Sequence, residues 1–259
     1  MLTLAISPCP NDTFVFHAMA DRYRVTLDDV EALNQRAEKG EFDVSKISVA
    51  AYGRFRGRYG LLRAGGAAGF GVGPLLVAKA PRDPGGRIAI PGDRTTAALL
   101  LKLLGDFETI AMRFDLIEDA VRTGTVDCGV LIHEGRFTYQ QKGLVKLADL
   151  GEVWESRMKG PLPLGAVAIR RDLGPEVARR VDNEIRASVR HARENPGASA
   201  SFVRQHAQEM SPDVIRQHID LYVNDYTLNL DEVAVERLVS LGATHGLYPS
   251  SPRPLFAYA

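Results

Sequence analysis

Cysteine is scarce in this chain: Cys9 and Cys128 are the only two, too far apart for a CxxC metal or redox motif and in keeping with a reducing compartment. No disulfide between them is expected. Net charge is also missing, since Lys plus Arg and Asp plus Glu each number 32. Without an excess of either sign there is no field to steer nucleic acid or a membrane surface to the protein, and a small-molecule partner is favoured. No apolar run approaches the roughly 20 residues needed to cross a bilayer, so no membrane insertion is expected. A basic n-region, an apolar h-region and a cleavage site are lacking ahead of Leu2, which gives cytoplasmic as the expected location. P-loop, Gly-x-Ser-x-Gly, HExxH and EF-hand patterns are absent, and with them any support for nucleotide, serine-hydrolase or metal chemistry. Gly69-Phe70-Gly71-Val72-Gly73 precedes a strand instead of following one, so it lacks the context of a dinucleotide fingerprint.

What is present is an ordinary globular composition, 45% apolar and 25% charged over 259 residues, enough for two medium domains. Strand and helix patterns alternate through the first 150 residues and helical patterns dominate afterwards, an α/β arrangement. Strands are expected at Leu2 to Ile6, Leu75 to Lys79, Arg87 to Ile90, Val126 to Ile132 and Ala166 to Ile169. Helical periodicity covers Leu27 to Glu38, Thr95 to Leu104, Pro175 to Glu194, Ser199 to Glu209, Pro212 to Asn224 and Leu230 to His245. If Leu75 to Lys79 and Ala166 to Arg170 cross between domains, residues 1–80 and 170–259 form a discontinuous lobe I and residues 81–169 an inserted lobe II. A ligand cleft would then lie between the lobes.

The run Ser7-Pro8-Cys9-Pro10-Asn11-Asp12-Thr13-Phe14 is the most distinctive stretch. Two prolines end the first strand, Asn11, Asp12 or Thr13 can cap the following helix, and the junction falls where open α/β sheets bind ligands. A capped turn with no ligand fits the spacing equally. Lys46 and Ser48 share a face if their segment is extended, and Thr95 and Thr96 offer hydroxyls at a helix start, where one of them can simply be the cap. His133, at the C-terminal end of a buried strand, is the best candidate base, because an imidazole with a pKa near 6.5 takes a proton at neutral pH. His191, His206, His218 and His245 read as solvated on polar helical faces, and His17 as lying at the edge of the first helix. Glu134 is not paired with His133, since neighbours on an extended chain point to opposite sides. Arg54, Arg56, Arg58 and Arg63 read as a solvated charged face.

Taken together, Ser7 to Phe14, Lys46-Ile47-Ser48, Pro91-Gly92 with Thr95-Thr96, Ile132-His133-Glu134-Gly135-Arg136-Phe137-Thr138-Tyr139, Leu162-Pro163-Leu164-Gly165 and Ser251 to Phe256 resemble the 1,4-dihydroxy-6-naphthoate synthases of the futalosine route to menaquinone. The resemblance covers nearly the whole chain, with shorter segments around Arg22 to Leu27 and Arg82 to Arg87. It implies a two-lobed fold like the type 2 periplasmic binding proteins, turned into a carbon–carbon lyase. The implied substrate is a small anion, cyclic dehypoxanthinyl futalosine, cleaved to 1,4-dihydroxy-6-naphthoate and dihydroxyacetone, with no cofactor. It further implies His133 as catalytic base and Lys46, Ile47, Ser48, Thr95 and Thr96 as substrate-binding positions; Asn11 and Asp12 are added as substrate-binding candidates from the junction itself, where a carboxylate can accept hydrogen bonds from ligand hydroxyls. Chorismate dehydratase of the same pathway and a non-catalytic solute-binding protein are the alternatives.

Overall fold

A computed structural model describes residues 1–195, 197–207 and 211–258. Eleven strands run along it: β1 (Thr3–Ile6), β2 (Arg24–Leu27), β3 (Val44–Ser48), β4 (Tyr59–Leu61), β5 (Ala67–Gly69), β6 (Leu75–Ala78), β7 (Arg87–Ile90), β8 (Glu108–Ala111), β9 (Cys128–Leu131), β10 (Val145–Asp149) and β11 (Leu162–Arg170). They divide between two compact units, one comprising Met1–Gly69 with Pro163–Ala259 and the other Phe70–Leu162.

The first unit is built on the strand order β2-β1-β3-β11-β4, with β5 also on β11. β1 is parallel to β2 and β3, whereas β11 runs antiparallel to β3 and β4. One face is apolar because Leu4, Ile6, Val44, Val167 and Ile169 all point to it, and all five are fully buried. Helix Gly174–Glu194 covers that face with Ala178, Val181, Ile185, Val189 and Ala192, a stripe at helical spacing. Its Asp182, also buried, accepts the backbone N–H of Ala64 at 2.8 Å and the Nε–H of Arg186 at 2.7 Å. The short helix Pro10–Phe16 packs against Gly174–Glu194, Ala200–His206 and Pro212–Tyr222.

The second unit has the order β10-β6-β9-β7-β8. β7 is parallel to β8 and β9, and β6 is antiparallel to β9 and β10. β9 is buried throughout, as a strand covered on both faces must be. Leu75, Val77, Ala89, Ile117, Val121 and Leu131 fill its core.

Several expectations change. β6 belongs wholly to the second sheet, so it does not cross between units; the chain leaves the first unit at Gly69, ahead of it. The helix after β1 begins at Pro10, with Cys9 at the N-cap. Asn11, Asp12 and Thr13 therefore sit inside its first turn and do not cap it, because proline is pre-organised for the first helical position. Leu27 to Glu38 divides into the end of β2 and the helix Val30–Lys39, which Asp29 caps. The helix expected to end at Glu209 is seen as Ala200–His206; Glu209 lies outside the described residues. Gly73 has a packing role: a Cβ there would stand 2.3 Å from the Cα of Gly151. Arg56 is buried and forms a two-pronged pair with Glu236 at 3.2 and 3.1 Å, so it is not part of a solvated face.

Candidate functional site

In the first unit the residues following β1 meet the side chains of its parallel neighbour β3. Lys46, on β3, donates to Asp12 Oδ1 at 2.6 Å and to the Gly65 carbonyl at 2.8 Å. Both ionic side chains are almost wholly withdrawn from water, at 6% and 2% exposure. A buried pair of this kind persists when further hydrogen bonds satisfy its lone pairs and protons, and both oxygens of Asp12 have them. Asp12 Oδ2 accepts the Ser7 hydroxyl at 2.7 Å and the Ser7 N–H at 3.3 Å, while Oδ1 also accepts Asn11 Nδ2 at 3.0 Å. Gly165, opposite Ser48 on β11, leaves room for the lysine stem, since a Cβ at that position would stand 3.2 Å from Lys46 Cε.

Asn11, Asp12 and Lys46 are thus brought together, but Ser48 is held elsewhere. Its hydroxyl accepts Asn34 Nδ2 at 3.0 Å and its N–H donates to Asn34 Oδ1 at 2.8 Å. Ile47 is fully buried, side chain and backbone alike, and lies opposite Ala166 in the pairing of β3 with β11. His218 is 1% exposed, with Nε2 2.9 Å from Asn11 Oδ1, so it is not solvated. It shares a helix face with Val214 and Tyr222, also buried, at i, i+4 and i+8. That spacing was visible in the sequence and places His218 on the buried stripe. Asn34 carried a weaker signal, a buried polar position next to Leu33 on an amphipathic helix.

In the second unit, Thr95 and His133 follow the C-terminal ends of the adjacent parallel strands β7 and β9, the ends at which open α/β sheets carry ligands. Thr95 is the N-cap of Thr96–Leu101: its hydroxyl accepts Ala98 N–H at 3.1 Å and donates to the Gly92 carbonyl at 2.8 Å. The capping role is therefore realised for Thr95, and Thr96 is buried beside it.

His133 has φ 52°. Left-handed backbone at a non-glycine costs about 1–2 kcal/mol, and such strain persists only where the surroundings fix it. Arg136 supplies part of that fixing, since its backbone N–H donates to the His133 carbonyl at 3.3 Å. Its guanidinium pairs with the buried Asp149 at 2.8 Å and donates to the Gly73 carbonyl, while Asp149 itself caps the helix Leu150–Met158 through Gly151 N–H at 2.9 Å. The half-buried imidazole packs against the Phe114 ring with centroids 4.9 Å apart. Glu134 has helical dihedrals, so the alternation assumed for an extended chain does not apply to the 133–134 pair. Among the described residues no group of three or more His, Cys, Asp or Glu side chains could hold a metal ion. No helix among the described residues is long and apolar enough to cross a membrane.

These two units, each a mixed sheet with ligand-type strand ends, define an α/β fold of the periplasmic-binding-protein class. The ligand-binding component of an import system from Staphylococcus aureus has a TM-score of 0.72 at 13% identity, covering 96% of this chain and 93% of that one. The aliphatic sulphonate binding protein of Escherichia coli gives 0.66 at 10% identity, covering 98% and 89%. A crystallised protein from Archaeoglobus fulgidus is far nearer, with a TM-score of 0.90 and 38% identity over 95% of this chain and 98% of that one. The family described as menaquinone biosynthesis matches residues 2–243. Curated 1,4-dihydroxy-6-naphthoate synthases from Thermus thermophilus and Streptomyces coelicolor are each 45% identical, the first covering 98% of both chains and the second 96% of this chain and 95% of its own. The chain belongs to this menaquinone-biosynthesis family, that of the 1,4-dihydroxy-6-naphthoate synthases.

Proposed function

We propose that the protein is an enzyme of menaquinone biosynthesis that cleaves cyclic dehypoxanthinyl futalosine to 1,4-dihydroxy-6-naphthoate and dihydroxyacetone. His133 is the general base. The observation that carries this reading is the left-handed backbone of His133 beyond β9, a strained position for an imidazole, in a chain 45% identical to curated synthases of that name. Strain held in place by neighbouring anchors is a mark of a functional position.

The chemistry asks little beyond a placed base. Removal of a substrate proton starts a carbon–carbon cleavage, and recovery of an aromatic ring drives it forward, so neither a metal nor an organic cofactor is called for. A neutral imidazole accepts the proton at physiological pH, and general base catalysis of this kind supplies about 10²- to 10⁴-fold. The substrate-binding positions are Asn11, Asp12, Lys46, Ile47, Ser48, Thr95 and Thr96. Within this set the Asp12 carboxylate acts chiefly by holding Lys46 and Ser7, since both of its oxygens already accept protein hydrogen bonds. Thr95 acts through its turn, and Ile47 by holding Lys46 and Ser48 in place on β3. The anionic substrate is a small molecule of the cytoplasm.

The test is product identification. Purified protein incubated with cyclic dehypoxanthinyl futalosine should yield the naphthoate and dihydroxyacetone by mass spectrometry, and chorismate should be left intact. Dehydration of chorismate would establish the other enzyme of the pathway. Tight binding of a nutrient with neither substrate turned over would establish a solute-binding protein.

A further inference from the structure

The proton-bearing groups around Asp12 form a one-way chain that extends to His218. A carboxylate offers only acceptors, so Asn11 must turn its NH2 toward Asp12 Oδ1, 3.0 Å away. The amide oxygen of Asn11 then faces His218 Nε2 at 2.9 Å, and that nitrogen must carry a proton. His218 comes from the helix Pro212–Tyr222, 207 residues away in sequence, and its ring is buried against Tyr222 with centroids 4.7 Å apart. Lys46, the other donor to Asp12 Oδ1, lies at the far end of the same chain. We propose that His218 is a positioning residue for the reaction: its Nε2–H anchors the oxygen end of the Asn11 amide, and through it the alignment of Asp12 with Lys46. The effect rests on the reading of Asn11, Asp12 and Lys46 as substrate-binding positions.

A side chain at 218 without a donor leaves the buried Asn11 oxygen unmet and removes one of the two contacts that hold the amide in place. A hydrogen bond of this kind contributes about 0.5–1.5 kcal/mol, so His218→Leu should raise KM about two- to twelvefold with a smaller change in kcat. His218→Gln, whose amide nitrogen can stand near the place of Nε2, should recover most of the loss. In an Asn11→Ala background His218→Leu should add almost nothing, because the effect passes through Asn11.

Long-range 1H–15N NMR of the intact protein should show His218 protonated at Nε2, with the Asn11 side-chain NH2 resonances displaced in His218→Leu. The proposal is overturned if His218→Leu lowers the thermal midpoint while leaving KM unchanged, if Gln is as impaired as Leu, if the two substitutions add, or if Nε2 carries no proton. Failure of the functional reading would show separately, as absence of turnover by the unsubstituted protein. In that event the NMR arm decides: unmoved Asn11 resonances in His218→Leu overturn the proposal, and displaced ones uphold the link to Asn11.

Discussion

Replacing Lys46 by Met keeps the apolar stem of the side chain and removes only its charge and donors. The Asp12 carboxylate, 2% exposed, would then stay buried with three of its four hydrogen bonds, those from Asn11 Nδ2 and from the hydroxyl and N–H of Ser7. The Gly65 carbonyl would lose the Lys46 donor. Breaking a buried pair from one side costs about 3–5 kcal/mol, and the retained Ser7 and Asn11 bonds put this case at the lower end, near 3 kcal/mol. With a urea m-value of about 1–3 kcal/mol/M, the midpoint should fall by at least about 1 M. Far-UV circular dichroism across a urea series reads this directly; the single tryptophan, Trp154, belongs to the second unit and is not the reporter of choice. Asp12→Asn combined with Lys46→Met removes both charges and should recover most of the loss. A Lys46→Met cost below about 1 kcal/mol, the range of exposed pairs, would show that the two groups are solvated and would refute the reasoning.

Gly242→Ala tests packing in a case where helix propensity gives the opposite sign. Alanine in a helix interior is worth up to about 1 kcal/mol over glycine, but a Cβ at 242 would lie 2.1 Å from the Tyr248 hydroxyl. Overpacking should win, with a net loss of about 1–2 kcal/mol by thermal or urea unfolding; a gain in stability would contradict the packing described. His17 tests proton linkage. Burial lowers its pKa below 6.5, the hydrogen bond to the Phe14 carbonyl at 3.0 Å opposes this, and the charge of stacked His191 adds to the lowering. The unfolded chain therefore binds the proton first, so this contribution is fully present above about pH 6.5 and is lost as pH falls toward the folded value. Unfolding free energies from pH 5 to 8 should rise less steeply with pH in His17→Gln than in the unsubstituted protein, and equal slopes would refute the linkage.

The central strands were legible because their apolar residues need no partner to be recognised: β7 falls where Arg87 to Ile90 was expected, and β9 lies inside Val126 to Ile132. The strands that escaped notice are largely sheet edges. β8 is mostly exposed and β2 begins exposed, so neither shows the alternation of a half-buried strand, and β10 pairs with β6 alone. Polar partnerships were less legible still. Ser7 to Asp12 could be seen as an unusual run, but the pairing of Asp12 with Lys46 depends on two neighbouring parallel strands, and that of Asn11 with His218 on a helix from the other end of the chain. No local periodicity records such distances. The turn at His133 was likewise invisible, because nothing in Ile132-His133-Glu134 requires a positive φ as glycine would suggest.

The central claim is that His133 removes the proton that starts cleavage. Turnover of cyclic dehypoxanthinyl futalosine by His133→Asn, set against the unsubstituted protein in the same product assay, measures it. The account predicts a fall in kcat of about 10²- to 10⁴-fold with substrate binding still measurable by calorimetry, whereas near-normal kcat in the variant would contradict it.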